Sequence, residues 1–567
     1  VVIGNFGGLH RADIEPGLVE LIEGTVGRPI LRSASCPKTL LPCFGSIAGG
    51  SFCFRRVRDD QTFLWWLNSV VNKGHLANST YGVGDISCIA SLWAEVNKYD
   101  RVYPVLSLTM ISCATTAVAR IVTVQAQCFV KNGEKLLFLQ PDEALEMMNF
   151  ATSPGFPWKH MAQTKQALVD DPATLATLWR RVEQIWEAEP SDGCFQHVWY
   201  AFLKEELRPV EKLRCDPPKI RSISGAPVDM CIVGNQLCGS YNKAFYTCAE
   251  SALFGSCVGI SPFHGGWDRL WKRFFCSPLY NRQCAISLDV SQWDRSFSPR
   301  LFELVLQVRK GVTSVCGSQI LQGAFGHIDK LYMDVVNSLV AVPDRDRTFL
   351  VGMPGGMKSG WVNTTTDNTI GHLIVLTSYL VSVGLQGDIG KKVMFALYGD
   401  DNLLAFTEDL ACHFTSAKLE EWYAGWGFEL HPSEVVRGRA RADIVFLGGK
   451  FGVCSETKSR VYVPAEPQKA YDSMIHKYKS KNSAFERACA LRCLHFYNTE
   501  VYDVCTEYAK FLLERGEVTD GLEACFLGRE SILHIHTGFE GGDGPLKALP
   551  TNLSFLDTIS ELLPWTV

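Results

Sequence analysis

Residues 393–406 read Val-Met-Phe-Ala-Leu-Tyr-Gly-Asp-Asp-Asn-Leu-Leu-Ala-Phe, two apolar, strand-like runs that meet at Gly399, Asp400 and Asp401. Short apolar runs joined by a Gly-Asp turn predict a tight β-hairpin with the acids presented at its tip. Gly399 lets the backbone turn there without steric cost. Two carboxylates so placed suit a hard cation, because magnesium takes oxygen ligands and usually binds through one or two carboxylates together with substrate phosphates. The segment thus demands an antiparallel strand pair and fits chemistry on a nucleotide.

An Asp-rich turn by itself is a common loop element; a second acidic segment gives this one weight. Residues 284–289, Cys-Ala-Ile-Ser-Leu-Asp, read as a short buried strand ending in Asp289, and the next acid is Asp294, in the pattern Asp-x-x-x-x-Asp. Asp289 would complete a metal-binding set with Asp400 and Asp401. Three carboxylates around two ions roughly 3.5–4 Å apart can activate an attacking hydroxyl and stabilise the leaving oxygen of an in-line phosphoryl displacement. That is the chemistry of strand extension.

A chain of 567 residues, 47% hydrophobic, can bury a large core and should divide into several subdomains. Its formal net charge of −5 argues against a protein that coats nucleic acid over its whole surface, so any RNA or DNA contact should be confined to a local basic channel. The 21 cysteines are scattered without zinc-site spacing, which predicts reduced thiols in an intracellular setting. No secretory signal is seen. No apolar run is expected to span a membrane; the longest candidate, 370–383, contains His372 and stops at Gly384. The start at Val1 fits release from a longer precursor or a trimmed terminus.

Two further segments carry polar chemistry. After the Gly- and Pro-rich stretch 352–360 a helix is predicted from Asn363 to about Leu376, with Thr364 and Asn368 four residues apart on one face and Ser359 just before it. Threonines 364–366 are poor helix formers, so tertiary contacts or a ligand must favour them; an ordinary Ser/Thr-rich helix start is the plainer alternative. Lys204, Arg208, Lys212, Lys219 and Arg221 concentrate cations suited to a triphosphate. Glu205, Glu206 and Glu211 are interleaved among them, which leaves a solvated mixed-charge face open as the other reading.

Taken in order, these pieces resemble the RNA-dependent RNA polymerases of positive-strand RNA viruses, in the broad picornavirus, calicivirus, astrovirus and potyvirus-like group, over roughly residues 152–450. Residues 289–294 (Asp-Val-Ser-Gln-Trp-Asp) look like motif A. Ser359-Gly360 with Thr364 and Asn368 looks like motif B, and Tyr398-Gly399-Asp400-Asp401 like motif C. The cations from Lys204 to Arg221 follow motif F, and residues 152–157, Thr-Ser-Pro-Gly-Phe-Pro, resemble motif G, which guides template in the family.

The resemblance implies an α/β (α+β) fold: a closed right hand of fingers, palm and thumb, the palm a small antiparallel sheet flanked by helices. The expected division is fingers and N-terminal fingertips in 1–237, palm in 238–296 and 353–455, more fingers in 297–352, and thumb plus C-terminal tail in 456–567. It implies that Asp289, Asp400 and Asp401 hold Mg2+, with Mn2+ an alternative. Lys204, Arg208, Lys219 and Arg221 would meet the incoming ribonucleoside triphosphate, and Asp294, Ser359, Thr364 and Asn368 would recognise its ribose 2′-hydroxyl, which can donate and accept. Thr152, Ser153, Lys212 and Lys450 would contact RNA, the template and the nascent strand. Implied partners are a protein primer and other viral replication proteins, in the host cytoplasm at a membrane-associated replication complex, with no transmembrane anchor in this chain.

Some positions depart from the family pattern. The loop before Ser359 is expanded. In the segment 427–435, which resembles motif D, the lysine expected as general acid falls at Val435, leaving His431 or Arg437 by position. Phe446-Leu447-Gly448-Gly449-Lys450 resembles motif E with one residue inserted. A reverse transcriptase shares the paired acids, but Asp294 and Asn368 speak against one, and a non-catalytic RNA-binding scaffold would be expected to lack an acid. Beyond Lys450, thumb-like helices are expected at 484–496 and 501–515, then a Gly-rich hinge and an apolar tail, 553–565, that would regulate initiation.

Overall fold

The computed structural model describes residues 38–41, 43–48, 59–187, 197–251, 253–345, 347–432, 434–476, 484–518 and 521–538. The expected hairpin forms: Val393–Tyr398 pairs antiparallel with Asp401–Phe406, Tyr398 opposite Asp401. Cys284–Ile286 adds to Asp401–Phe406, and Val436–Arg437 adds to Cys284–Ile286, giving a four-stranded antiparallel sheet. Side chains alternate strictly across it, as the pleat requires. Val393, Phe395, Leu397, Leu404, Phe406, Cys284 and Ile286 enter one hydrophobic core; Met394, Ala396, Leu403, Ala405 and Ala285 enter a second. Because both faces are buried, the strands read as nearly continuous apolar runs.

The predicted helix after the Gly-rich loop runs Thr364–Ser382, longer than the sequence reading because the apolar pattern continues through Leu380. Residues 366–380 are buried all round, polar ones included. A helix buried on every face must satisfy its polar side chains internally. Asp367 does so with Arg309, at 2.7 Å and both fully buried. Tyr332 donates its hydroxyl to the other Asp367 oxygen at 2.7 Å, Arg309 donates to Asn242 Oδ1 at 3.1 Å, and Asn242 donates to Asn363 Oδ1 at 2.8 Å. These contacts lock the helix to Pro299–Cys316, Ile328–Val336 and Val228–Thr247.

A five-stranded mixed sheet stands apart from the first, in the order Cys43–Ala48, Arg347–Pro354, Asn337–Asp344, Val198–Leu203, Ser222–Gly225. Its pairings are antiparallel except for the parallel contact of Val198–Leu203 with Asn337–Asp344. The fold is therefore α+β, with the small sheet flanked by helices. At the far end, helices Ala484–Leu494 and Thr499–Glu514 form as expected and build the second core. An N-terminal stretch joins them: Phe63 and Trp66 pack edge-on and tilted against Tyr508, with centroids at 4.8 and 5.0 Å. The buried Asp472 carboxylate accepts from the backbone of Thr80 and Tyr81 at 3.2 and 2.9 Å.

One expectation is corrected. Helix Leu108–Lys131 is long and apolar enough, by length and composition, to cross a membrane. Polar residues within it, Arg120, Gln125 and Gln127 among them, interrupt the apolar run in the sequence. Thr115, Thr116 and Thr123 donate back to carbonyls four residues earlier, masking their polarity. One face of this helix, including Met110, Ala117, Ile121 and Phe129, is buried in the first core. The cysteines among the described residues are all unbridged, and the apolar tail at 553–565 lies outside the described residues.

Arg309→Met should destabilise the protein by about 3–5 kcal/mol, the cost of stranding a buried carboxylate. Denaturant unfolding at neutral pH checks this; a loss under about 1 kcal/mol would show the pair to be dispensable.

Candidate active site

The turn at the hairpin tip is a two-residue loop of Gly399 and Asp400. Gly399 has φ of 63°, the left-handed value that the first central position of a type II′ turn requires. A Cβ there would meet nothing nearer than Asn368 Cβ at 3.9 Å, so the requirement for glycine is conformational and not steric. Both polar groups of Gly399 are held by the buried helix. Its N–H donates to Thr369 Oγ1 at 2.9 Å, and its carbonyl faces His372 Nδ1 at 3.0 Å.

Asp289 does not end its strand as expected. The chain breaks at Ser287 and resumes as Leu288–Ser291, which leaves the four-stranded sheet and pairs with Glu429–Pro432, Asp289 opposite His431. Asn402 makes this switch possible. Its side chain, 1% exposed, accepts from Leu288 N at 2.8 Å and donates to Leu288 O at 2.6 Å, replacing both ladder bonds that Leu288 would otherwise lack. It also reaches Asp400 O at 3.1 Å, so one amide ties the Asp289 strand to the Asp400 turn. Nothing in the sequence distinguished Asn402 from any other polar residue after an acidic pair.

Asp294 sits beyond a left-handed Gln292 and accepts from Asn368 Nδ2 at 2.8 Å, while Asn368 Oδ1 accepts from Trp293 Nε1 at 3.2 Å. The predicted Asp294–Asn368 contact is thus present. Thr364 departs from expectation: its hydroxyl turns back to the carbonyls of Lys358 and Trp361, at 2.9 and 2.7 Å. Ser359 is half-buried in the loop. Lys358, missed in the sequence, shapes that loop: fully buried, it donates to the carbonyls of Met353, at 2.9 Å, and Gly355, and burial drives its pKa well below the ordinary lysine value. Gly360 lets the loop dock on the strand Ser222–Gly225, since a Cβ would lie 2.6 Å from Ser224 O.

Asp400 and Asp401 reach solvent yet are ringed by protein. The pKa of Asp400 is raised to about 7, first by lost solvation and then by Asp401 and Asp294; that of Asp401 is raised to about 6, by lost solvation and by Asp289. Arg221 opposes both shifts. Among the described residues no three acidic, His or Cys side chains converge into a ready-made metal cage. The all-oxygen donor set nevertheless suits magnesium, which commonly uses one or two carboxylates and leaves the remaining positions to water and phosphate.

The cations are organised by an acid. Glu206 lies 3.5 Å from Lys204 Nζ, 3.8 Å from Arg208 and 3.5 Å from Arg221. The mixed-charge reading of this segment is thus partly right, but the glutamate gathers the cations and does not merely solvate them. Backbone pairing of Lys204 N with Arg221 O at 2.8 Å puts these two at the end of the strand pair Val198–Leu203 and Ser222–Gly225. Lys212, on the short helix Val210–Leu213, and Lys219, on the loop after it, are exposed and joined through Lys219 N and Lys212 O at 2.9 Å. Thr152 and Ser153 are exposed, and Lys165 Nζ holds them through Thr152 Oγ1 at 2.5 Å and Ser153 O at 3.1 Å. Lys450 is half-buried on the hairpin Gly449–Val453, its carbonyl accepting from Trp267 at 3.1 Å. Arg437 is engaged by Glu408 at 3.0 Å, whereas His431 shares a face with Asp289 and contacts Ser291 Oγ at 2.7 Å.

Comparison with known proteins gives a consistent picture. The family model of viral RNA-dependent RNA polymerases matches residues 87–500. The genome polyprotein of Bean yellow mosaic virus is 30% identical over 254 residues, covering 44% of this chain and 8% of the polyprotein. That of Watermelon mosaic virus II (isolate USA) is 25% identical over 394 residues, 68% of this chain and 35% of the relative. The Plum pox potyvirus polyprotein (strain El amar) is 31% identical over 232 residues, 39% of this chain and 14% of the relative. The matched part is thus a minor share of each polyprotein.

Raised carboxylate pKa values have a sign that calorimetry can read. The fold favours the protonated acids, so this contribution is complete below the ordinary carboxylate range and is lost as pH rises through about 6 to 7. In chelator, Asp400→Asn should therefore raise Tm at pH 8, and the gain should shrink toward pH 5. A pH-independent difference would show that ionising Asp400 costs the fold nothing.

Proposed function

Because the chain belongs to the family of viral RNA-dependent RNA polymerases, we propose that it extends RNA on an RNA template. The 3′-hydroxyl of the growing strand attacks the α-phosphate of a ribonucleoside triphosphate, and pyrophosphate leaves. The observation that carries this reading is the pair of carboxylates, Asp400 and Asp401, pinned at a backbone-clamped turn and tied through Asn402 to the strand of Asp289. Mg2+ or Mn2+ held by Asp289, Asp400 and Asp401 would supply charge stabilisation to the attacking and leaving oxygens. Burial first, and neighbouring acids second, lift both pKa values, and a bound divalent cation would offset both.

The remaining residues bind and orient. Lys204, Arg208 and Arg221, gathered by Glu206, present a cationic face to the triphosphate, with Lys219 at its rim. Asp294 and Asn368 select the ribose, since a 2′-hydroxyl can join their hydrogen-bonded pair. Thr364 supports this site through the loop carbonyls, and Ser359 sits at its edge. Thr152, Ser153 and Lys212 guide template, and Lys450 meets the nascent strand.

We read the molecule as a closed right hand: fingers in 1–237 and 297–352, palm in 238–296 and 353–455, thumb in 456–567. The stitching of Thr80 and Tyr81 to Asp472, and of Phe63 and Trp66 to Tyr508, supports closure between the N-terminal region and the thumb. Template and nascent RNA, ribonucleotides, a protein primer and other replication proteins are its proposed partners, in a membrane-associated complex in the host cytoplasm.

Asp289→Ala and Asp400→Ala should each cut ribonucleotide incorporation on a self-priming RNA by about a thousandfold or more while the protein stays folded, as several kcal/mol of charge stabilisation disappears. Full activity in either would remove it from the metal set. Asn368→Ala should lower the preference for ribo- over deoxyribonucleotides up to about tenfold, the worth of one hydrogen bond; an unchanged ratio in a competition assay would move ribose selection elsewhere.

A further inference from the structure

The carbonyl of Gly399 belongs to the peptide plane that leads into Asp400, whereas its N–H belongs to the preceding plane. Thr369 therefore holds the turn on the side of Tyr398, the contact at the carbonyl fixes the plane that leads into Asp400, and Asn402 holds the plane that leaves it. That contact is His372 Nδ1, at 3.0 Å, from a side chain with no exposed surface. A carbonyl can only accept, so Nδ1 bears the proton. Nε2 faces the hydroxyl of Tyr423 at 2.8 Å, and in the neutral ring it accepts while Tyr423 donates. Burial pushes the imidazole pKa down to about 4 and raises that of the Tyr423 phenol, which keeps both groups in these forms around neutral pH.

The ring has little freedom to turn. Trp293, next to Asp294, lies against it with centroids 4.6 Å apart, and Trp293 also stacks on Phe428 at 4.2 Å. Tyr423 stands on helix Ser416–Gly425, which leads into Glu429–Pro432, the strand paired with the Asp289 strand. One chain of contacts, Gly399 to His372 to Tyr423, thus connects the turn bearing Asp400 with the element that supports Asp289.

We propose that His372 is a positioning residue for RNA synthesis: locked in one tautomer by Tyr423, it fixes the Gly399 carbonyl and so sets the Asp400 carboxylate relative to Asp289. The proposal rests on the reading of those acids as the magnesium site. Magnesium tolerates little departure from octahedral geometry, so a loosened carboxylate shows as a demand for more metal.

The test is a magnesium titration of ribonucleotide incorporation by the full chain on a self-priming RNA, with RNA affinity and Tm measured alongside. His372→Gln places its amide toward Tyr423 and abandons Gly399; the magnesium needed for half-maximal synthesis should rise about tenfold, the low end of the effect of groups that orient metal ligands, with RNA affinity unchanged. His372→Asn places an amide N–H where Nδ1 stood and should restore most of that loss. Tyr423→Phe, which removes a single oxygen and frees the tautomer, should raise the requirement about threefold and serves if the glutamine variant does not fold. Equal magnesium dependence in the Asn, Gln and Phe variants and the unaltered chain, with only Tm changed, overturns the positioning role. Synthesis by the unaltered chain that ignores magnesium instead overturns the metal reading beneath it.

Discussion

Asp400 and Asp401 stand as adjacent carboxylates at a turn where solvation is lost, and the surrounding molecule is arranged to hold them there. Both pKa values are raised, first by burial and then by neighbouring acids. A free hairpin tip would relax by twisting apart. Here it is backed by a sheet buried on both faces, so the tip inherits the rigidity of two cores at once.

The second support is helix Thr364–Ser382. Its sequence is poor for an isolated helix, with Thr364, Thr365, Thr366 and Thr369 all β-branched. Tertiary contacts compensate. Asp367 is neutralised by Arg309, Thr369 and His372 clamp Gly399, and Asn368 joins Trp293 and Asp294. Within six residues the helix thus points three ways, toward helix Pro299–Cys316, the acidic turn and the first acidic segment. Polar residues at these buried positions specify a single docking of the helix, since any other leaves a charge or a carbonyl unpaired.

The cationic segment follows the same logic with opposite sign. Lys204, Arg208 and Arg221 would repel if left together, and Glu206 holds them near one another. Arg221 also tempers the acids across the site. Negative and positive clusters are each kept in place by one counter-charge or dipole, leaving net charge on both sides.

Local pattern was enough to establish the hairpin 393–406, the loop and helix that follow it, the helices at 484–496 and 501–515, and which acids and cations stand out, because each depends on residue spacing along a few turns or one strand pair. The Asp294–Asn368 contact was legible too, through resemblance of motifs. What the sequence could not show was decided between segments far apart in the chain. Asp289 lies within a strand and not at its end, because Asn402 supplies the bonds that allow the strand to change partners. Thr364 spends its hydroxyl on the loop, Lys358 is buried under it, and His372, which looked like an interruption in an apolar run, holds the turn. The apolar character of Leu108–Lys131 was interrupted in the sequence by polar residues such as Arg120, Gln125 and Gln127. Sequence determines which groups are available and their local periodicity; which donor meets which acceptor across hundreds of residues is settled only when the cores close and each buried polar atom must find a partner.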